Sequence, residues 1–433
     1  MRRRTGYLTA LAGVCVVLGC GSSEPASGAG VSGKPGVEAA SGSGLAGMGV
    51  AGASLGGGGP GPEGGAVNAT AGTTISASGS GAVAATGGQS SAGASPGAGA
   101  IVFVGGFGAD PVHAYDLNRA TGALTERLPP IDAGPEPSCL ALAPSRTHLY
   151  VCNEDDGPQG GVTAFALQAD GSPKKLNHQL GSDLGLTQVA VSPDGKWLAG
   201  AGYNGGSASI FPIMADGALG PEQSNVDFGA DAQTHYVAFT PNGQFLLATT
   251  KGLNAVQQLE LTEAGMLSPN TPPSVASDDV GPRHLAVHPN GKLAFVVTER
   301  GSTLIPYQIS EGGTLTPGKS VSSLPPDYQG QNSGAHVELG HDAQFLYVSN
   351  RGHDSVGVFK VDQQSGALTV VTHAATHSAS PHDFDIDAAG EILITANRKG
   401  NTLTVFKIEP NGTLTALGDP VPTRTEPTAV LIY

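Results

Sequence analysis

Gly281-Pro282-Arg283-His284-Leu285-Ala286-Val287-His288-Pro289-Asn290-Gly291-Lys292-Leu293-Ala294-Phe295-Val296-Val297-Thr298-Glu299-Arg300 is the stretch whose reading decides the fold. Two apolar segments flank a Pro-Asn-Gly punctuation, which is the composition of a short β-hairpin. Its ends carry charge: Arg283 stands just inside the entrance and Glu299 just past the exit. An antiparallel hairpin brings those ends together, so the stretch predicts both a strand pair and a meeting of ionisable groups.

The same pattern recurs along the chain. Its turn stands at Pro144, Pro193, Pro241 and Pro289, and in degenerate form at His341 and Ala388, with spacings of 49, 48, 48, 52 and 47 residues. Each turn has an apolar strand on both sides. A third strand follows in most units, as in Val162-Thr-Ala-Phe-Ala-Leu and Leu403-Thr-Val-Phe-Lys-Ile, and then a Gly-x-Leu turn such as Gly217-Ala-Leu or Gly412-Thr-Leu leads to a weaker fourth. Four strands per repeat at this period predict propeller blades. The ends supply a seventh unit. Ile101-Val-Phe-Val-Gly-Gly-Phe matches a second strand without its first, and Glu426-Pro-Thr-Ala-Val-Leu-Ile-Tyr433 matches a first strand without its second. The expectation is an all-β, seven-bladed β-propeller over residues 100–433, its ring closed by the C-terminal strand completing the N-terminal blade.

The preceding residues are of another kind. Residues 1–20 have a basic start (Arg2, Arg3, Arg4), an apolar run and small residues before Cys20, the pattern of a secretory signal peptide. The end of this segment, Val17-Leu18-Gly19-Cys20, resembles a bacterial lipobox, which implies lipidation of Cys20; simple secretion is the alternative. Residues 21–99 are mostly Gly, Ala and Ser, too poor in large apolar side chains to form a core, and are expected to be a disordered tether. About 80 such residues span roughly 50 Å end to end as a random coil. The chain is therefore expected to be exported and membrane-anchored, in the bacterial periplasm or at the cell surface, touching the membrane through the lipid alone.

Without the leader's three arginines, 18 basic residues face 36 acidic ones. That balance argues against nucleic acid as a partner and requires any anion site to be a local basic cluster. Cys139 and Cys152 lie symmetrically about the Pro144-Ser-Arg-Thr147 turn, so hairpin pairing would set them opposite each other. A cross-strand disulfide suits an exported protein; two small apolar residues in paired strands would fit as well.

Aligning the repeats yields two columns on one face. Six residues before the turn position stand Ser138, Thr187, His235, Arg283, Ala335, His382 and, from the closing strand, Thr428; ten residues after it stand Glu154, Tyr203, Lys251, Glu299, Arg351 and Arg398. Their neighbours along the strands are apolar. Carboxylate and imidazole groups can move protons, and guanidinium groups can clamp a carboxylate or phosphate bidentately. Convergence of these groups at the mouth of a central channel is the candidate site. The remaining histidines, including His336, His341, His353, His373 and His377, show no metal-ligand spacing and read as solvated or turn residues. No metal, cofactor fingerprint or Gly-x-Ser-x-Gly elbow is indicated.

Gly281-Pro-Arg-His284 with Glu299, Ser349-Asn-Arg-Gly352 with Asp354-Ser355, Gly202-Tyr-Asn with Gly206-Ser207, and Ala396-Asn397 resemble the lactonase-type seven-bladed propellers, the family of bacterial 6-phosphogluconolactonases and fungal carboxy-muconate cyclases. The resemblance implies His235, Arg283, Glu299 and Arg351 as the catalytic and substrate-binding core; from the columns Tyr203, Lys251, His382 and Arg398, and from the motifs His284 and Asn350, are added as candidate substrate-binding residues. It also shows departures: Gln233-Thr-His235 where relatives have His-x-His, Thr250-Lys-Gly-Leu-Asn254 for Asp-Leu-Gly-x-Asp, and Pro381-His382 for Pro-Arg.

Two functions follow. The first is a monomeric hydrolase opening a cyclic ester, a sugar or carboxylated lactone, with Glu299 or His235 as general base and Arg283 and Arg351 holding an anion or the developing oxyanion. The second is a non-catalytic surface propeller that binds a carbohydrate, an anion or a protein.

Overall fold

The computed structural model describes residues 99–433 apart from 109, 110, 156, 158, 159, 184, 278, 279 and 425. The leader, Cys20 and the Gly/Ala/Ser-rich stretch up to residue 98 lie outside the described residues.

Seven antiparallel sheets follow one another, numbered here as blades 1 to 7 from Ala100 onward. The innermost strands of blades 2 to 7 are Pro137–Leu142, Leu186–Val191, Thr234–Phe239, Pro282–Val287, Ser333–Leu339 and Pro381–Ile386. Blade 1 takes its innermost strand from the other end of the chain, Pro427–Ile432, paired with Ala100–Gly106. The predicted closure is therefore the observed one. In blades 5 and 7 the outermost strand is split, Leu315–Pro317 with Val321–Ser322 and Leu414–Ala416 with Val421–Pro422, where the sequence read a single weak strand.

Apolar residues run continuously in the second strands because both sheet faces are covered by neighbouring blades. Leu293–Thr298 is buried at every position. Apolar packing is organised by interface: Leu247 and Val256 of blade 4 meet Leu285, Val296 and Ile305 of blade 5 in one cluster, and seven such clusters link the seven blades into a ring. The Pro-x-Gly turns have the expected cause. Gly195, Gly243, Gly291 and Gly390 adopt φ near 70°, a left-handed conformation that glycine adopts at no steric cost. Arg146 and Ala343 take the same conformation at the two turns that lack glycine.

Cys139 and Cys152 sit opposite each other in blade 2 and are joined as a disulfide, with 5.2 Å between their Cα atoms.

One irregularity recurs and positions the chemistry. In each innermost strand the pairing register slips by one residue near the start: between Pro137 and Cys139, Leu186 and Gln188, Thr234 and Tyr236, Pro282 and His284, Gly334 and Val337, and Pro381 and Asp383, and in the closing strand at Thr428. These are β-bulges, in which two residues of one strand oppose one of the other and the bulged side chain is re-aimed. The bulged residues include Ser138, Thr187, His235, Arg283, Ala335, His382 and Thr428, the first column read from the sequence, and in blade 6 the bulge also takes up His336, which lies outside that column.

Candidate active site

A cavity of about 770 Å³ fills the channel. The bulges bring consecutive residues to its wall, so that Arg283 and His284, His235 and Tyr236, and His382 and Asp383 all line it. From the exits of the second strands come Glu154, Tyr203, Lys251, Glu299, Arg351 and Arg398. The ten candidate site residues read from the sequence include nine that line this one cavity: His235, Arg283, Glu299, Arg351, Tyr203, Lys251, His284, His382 and Arg398.

Asn350 is the exception. Its Oδ1 accepts from Ser323 Oγ at 2.7 Å and its Nδ2 donates to the Ser323 carbonyl at 3.0 Å, which ties down a loop, and the side chain is fully buried away from the cavity. The second strands carry no bulge, so Arg351 faces the channel and its neighbour Asn350 faces the blade. His336 corrects the reading in the other direction. Placed among solvated histidines from the sequence, it is buried in the channel wall because the blade 6 bulge takes up both Ala335 and His336.

Arg283 is the hub. It is only 2 % exposed, and each of its nitrogens faces an acceptor. Nη1 donates to His284 Nε2 at 2.9 Å and to the Ala335 carbonyl at 2.8 Å, Nη2 donates to His382 Nε2 at 3.0 Å, and Nε stands 3.3 Å from Glu299 Oε2. A guanidinium has no acceptor to offer, so both imidazoles receive at Nε2 and carry their proton on Nδ1. His382 Nδ1 accordingly donates to the Thr428 carbonyl at 3.1 Å. His284 Nδ1 donates to His336 Nδ1 at 2.7 Å. His336 then holds its own proton on Nε2, which points toward Glu338 Oε2 at 3.9 Å.

Glu299 gathers the cations of the mouth. Besides Arg283, Arg351 Nη2 lies 3.3 Å from Oε2 and Lys251 Nζ 3.4 Å from Oε1. Burial alone would raise this carboxyl, but Arg283, Arg351 and Lys251 outweigh it and hold it below the ordinary range. One carboxylate shared by three cations leaves a local excess of positive charge in an acidic protein. Lys251 also lies 4.8 Å above the Tyr203 ring, which meets the His235 ring edge-on at 5.7 Å. Arg398 stacks 4.5 Å over Phe107 and pairs with Glu426 at 2.8 Å.

The imidazoles are neutral. Burial, then the charge of Arg283, pushes the pKa values of His235, His284 and His382 well below the usual value and that of His336 to about 3. Glu154 behaves oppositely to Glu299. Burial pushes its carboxyl up to about 7, against a Ser138 hydrogen bond that lowers it.

His284, His336 and Asp383 each offer a ligand atom within 4.8 Å of the others, a spacing that could hold a metal. The hydrogen bonds speak against that use. A metal between the two Nδ1 atoms would have to displace the proton that Arg283 forces onto His284 Nδ1, next to a guanidinium that already carries charge. The set reads instead as a column that braces Arg283 from below.

Comparison with known proteins gives a consistent result. Residues 101–432 match the family described as lactonase, 7-bladed beta-propeller. The 6-phosphogluconolactonase of Bacillus subtilis (strain 168) is 31 % identical over 334 residues, covering 73 % of this chain and 94 % of that protein. Among solved structures, a protein from Bacteroides fragilis NCTC 9343 superposes with a TM-score of 0.71 at 26 % identity, over 79 % of this chain and 100 % of that one. The periplasmic gluconolactonase of Pseudomonas aeruginosa shares the fold, with a TM-score of 0.70 at 24 % identity over 77 % of this chain and 98 % of that one.

Proposed function

The chain belongs to the seven-bladed β-propeller lactonase family, and from that premise we propose that it hydrolyses a cyclic ester, a sugar lactone or another carboxylated lactone, in its central channel. One observation carries the reading: Arg283, Arg351 and Lys251 converge on Glu299 within 3.3 to 3.4 Å at the wall of a cavity large enough for a sugar ring. When water adds to a lactone carbonyl, negative charge grows on the carbonyl oxygen. Donors fixed beforehand around that position stabilise it without reorganising, which is the largest single contribution in many acyl transfers. Glu299 keeps the three cations in place and limits their mutual repulsion. The same pole would hold a carboxylate or phosphate on the substrate.

The test is lactone hydrolysis, followed by acid release against a panel of sugar and carboxylated lactones, glucono-δ-lactone and its 6-phosphate included. Arg283→Ala together with Glu299→Gln is expected to lower kcat/KM by at least about 10²-fold, the cost of losing one oxyanion donor. Equal rates in variant and parent would remove Arg283 and Glu299 from the reaction and overturn this reading of the site, and no rate above the uncatalysed one with any lactone would leave the molecule as a binding propeller instead.

Residues 1–20 support export, and Cys20 supports a lipid anchor in the periplasm or at the cell surface, with the Gly/Ala/Ser-rich stretch as spacer. Cys20→Ser is expected to move the chain from the membrane fraction to the soluble one; unchanged fractionation would refute the anchor.

A further inference from the structure

Lactone opening needs a group that takes a proton from water and returns it to the ring oxygen. Neither base expected from the sequence suits that task. Glu299 is committed to three cations. His235 is flanked by Arg283 and Lys251, both of which oppose its protonation, and its Nδ1 is buried with no hydrogen-bond partner.

We propose that Glu154, on the wall opposite Glu299, is the catalytic proton carrier of this site. The inference rests on the lactonase reading above. Its geometry comes from the repeat: Glu154 follows the second strand of blade 2 at the position that Glu299 occupies in blade 5. Blades 2 and 5 lie three steps apart one way around a seven-membered ring and four the other way, so the two carboxyls face each other across the cavity both line. A substrate held at the cationic wall would present its far side to Glu154. Among the described residues no cation forms an ion pair with Glu154, and its hydrogen-bond partner is the bulged Ser138. Three further charges act on it from around the mouth: Arg283 and Arg398 favour its ionised form, and Glu136 opposes it. Its poise near neutral pH is what general acid–base catalysis asks for, and the contrast with Glu299 separates the roles of two carboxyls in one site.

The step balances as follows. The Glu154 carboxylate accepts a proton from water as the water oxygen bonds to the lactone carbonyl carbon. The tetrahedral oxyanion forms against Arg283, Arg351 and Lys251. On its collapse the acyl carbon–ring oxygen bond breaks, the protonated Glu154 gives its proton to the departing alkoxide, and the hydroxy acid leaves.

The experiment compares the full chain with Glu154→Gln and Glu154→Asp, using glucono-δ-lactone between about pH 5.5 and 8 with the uncatalysed rate subtracted. The parent is expected to show a rising limb in kcat centred near pH 7. Glu154→Gln should lose that limb and about 10²- to 10⁴-fold in kcat, while binding gluconate as before by calorimetry. The aspartate variant should keep a limb at reduced kcat. Full kcat with an unchanged limb in Glu154→Gln overturns the proposal. Should that variant fail to fold, the aspartate one decides, because a carboxyl drawn back by one methylene cannot leave kcat unaltered if it carries the proton. A parent that accelerates no lactone refutes the hydrolase reading itself, an outcome distinct from an active enzyme indifferent to residue 154.

Discussion

A fully buried guanidinium is costly unless its donors are met, and removing one of its partners is more destabilising than the pair is worth. Arg283 avoids the cost by having Ala335, His284, His382 and Glu299 arranged around it. The consequence runs one residue deeper. Because Arg283 fixes the proton of His284 on Nδ1, the lone pair of His336 Nδ1 is the acceptor that completes the array. Replacing His336 by Leu, close in volume, strands a buried N–H, and the stability measured by denaturant unfolding should fall by about 1 to 3 kcal/mol. It should also loosen Arg283 and lower kcat more than it raises KM. His336→Asn can offer its amide oxygen in place of Nδ1 and is expected to recover part of both losses. A leucine variant with native stability and native kcat would show that the column does not brace the guanidinium.

The strand is the scale at which the sequence was most and least readable. A period near 48 residues, set by turns that need a left-handed residue after the proline, made the blades, their number and their closure legible. The columns were legible too, since any residue repeated at that period returns to the same place on its blade. What alternation concealed was the bulge. A regular strand turns neighbours to opposite faces, so His284 next to Arg283 should not share the channel with it, yet the register slip places both there, and the slip in blade 6 likewise brings His336 to the wall. The second strands have no slip, and there alternation holds. Asn153, Thr298, Asn350 and Asn397, each one residue short of the second column, are fully buried within their blades. Asn153 binds the Pro135 carbonyl at 2.6 Å and Asn397 the Thr404 hydroxyl at 2.8 Å, just as Asn350 binds Ser323. A motif that included Asn350 beside Arg351 carried structure and chemistry in adjacent positions, and only the strand geometry separates them.

For the whole molecule, the channel is a reservoir of mis-set protons, and stability should record it. Four imidazoles, His235, His284, His336 and His382, are held neutral by burial and by Arg283. Four carboxyls, Glu154, Glu338, Asp383 and Asp385, are held protonated, chiefly by burial, with Glu154 and Asp383 near 7. Asp383 and Asp385 also accept the Val430 and Ile432 N–H groups of the closing strand, which ties their state to ring closure. Unfolding between about pH 4.5 and 6.5 lets the imidazoles take up protons and the carboxyls release them, in similar number. Stability in that window is therefore expected to be nearly flat. Below it the unfolded carboxyls no longer release protons while the imidazoles still take them up, so the unfolded chain binds more and stability falls with acid. Above about pH 6.5 the imidazoles are neutral in both states but the native carboxyls keep protons that the unfolded ones have lost, so stability falls as pH rises until the native groups ionise. Calorimetric Tm values across the range should trace a plateau with a decline on each side. Replacing Asp383 and Asp385 together by Asn, which cannot ionise, is expected to flatten the alkaline decline and, because four imidazoles then face two carboxyls, to extend the acid decline into the former plateau. An alkaline limb unchanged in that variant would mean that the buried carboxyls of the channel do not set it.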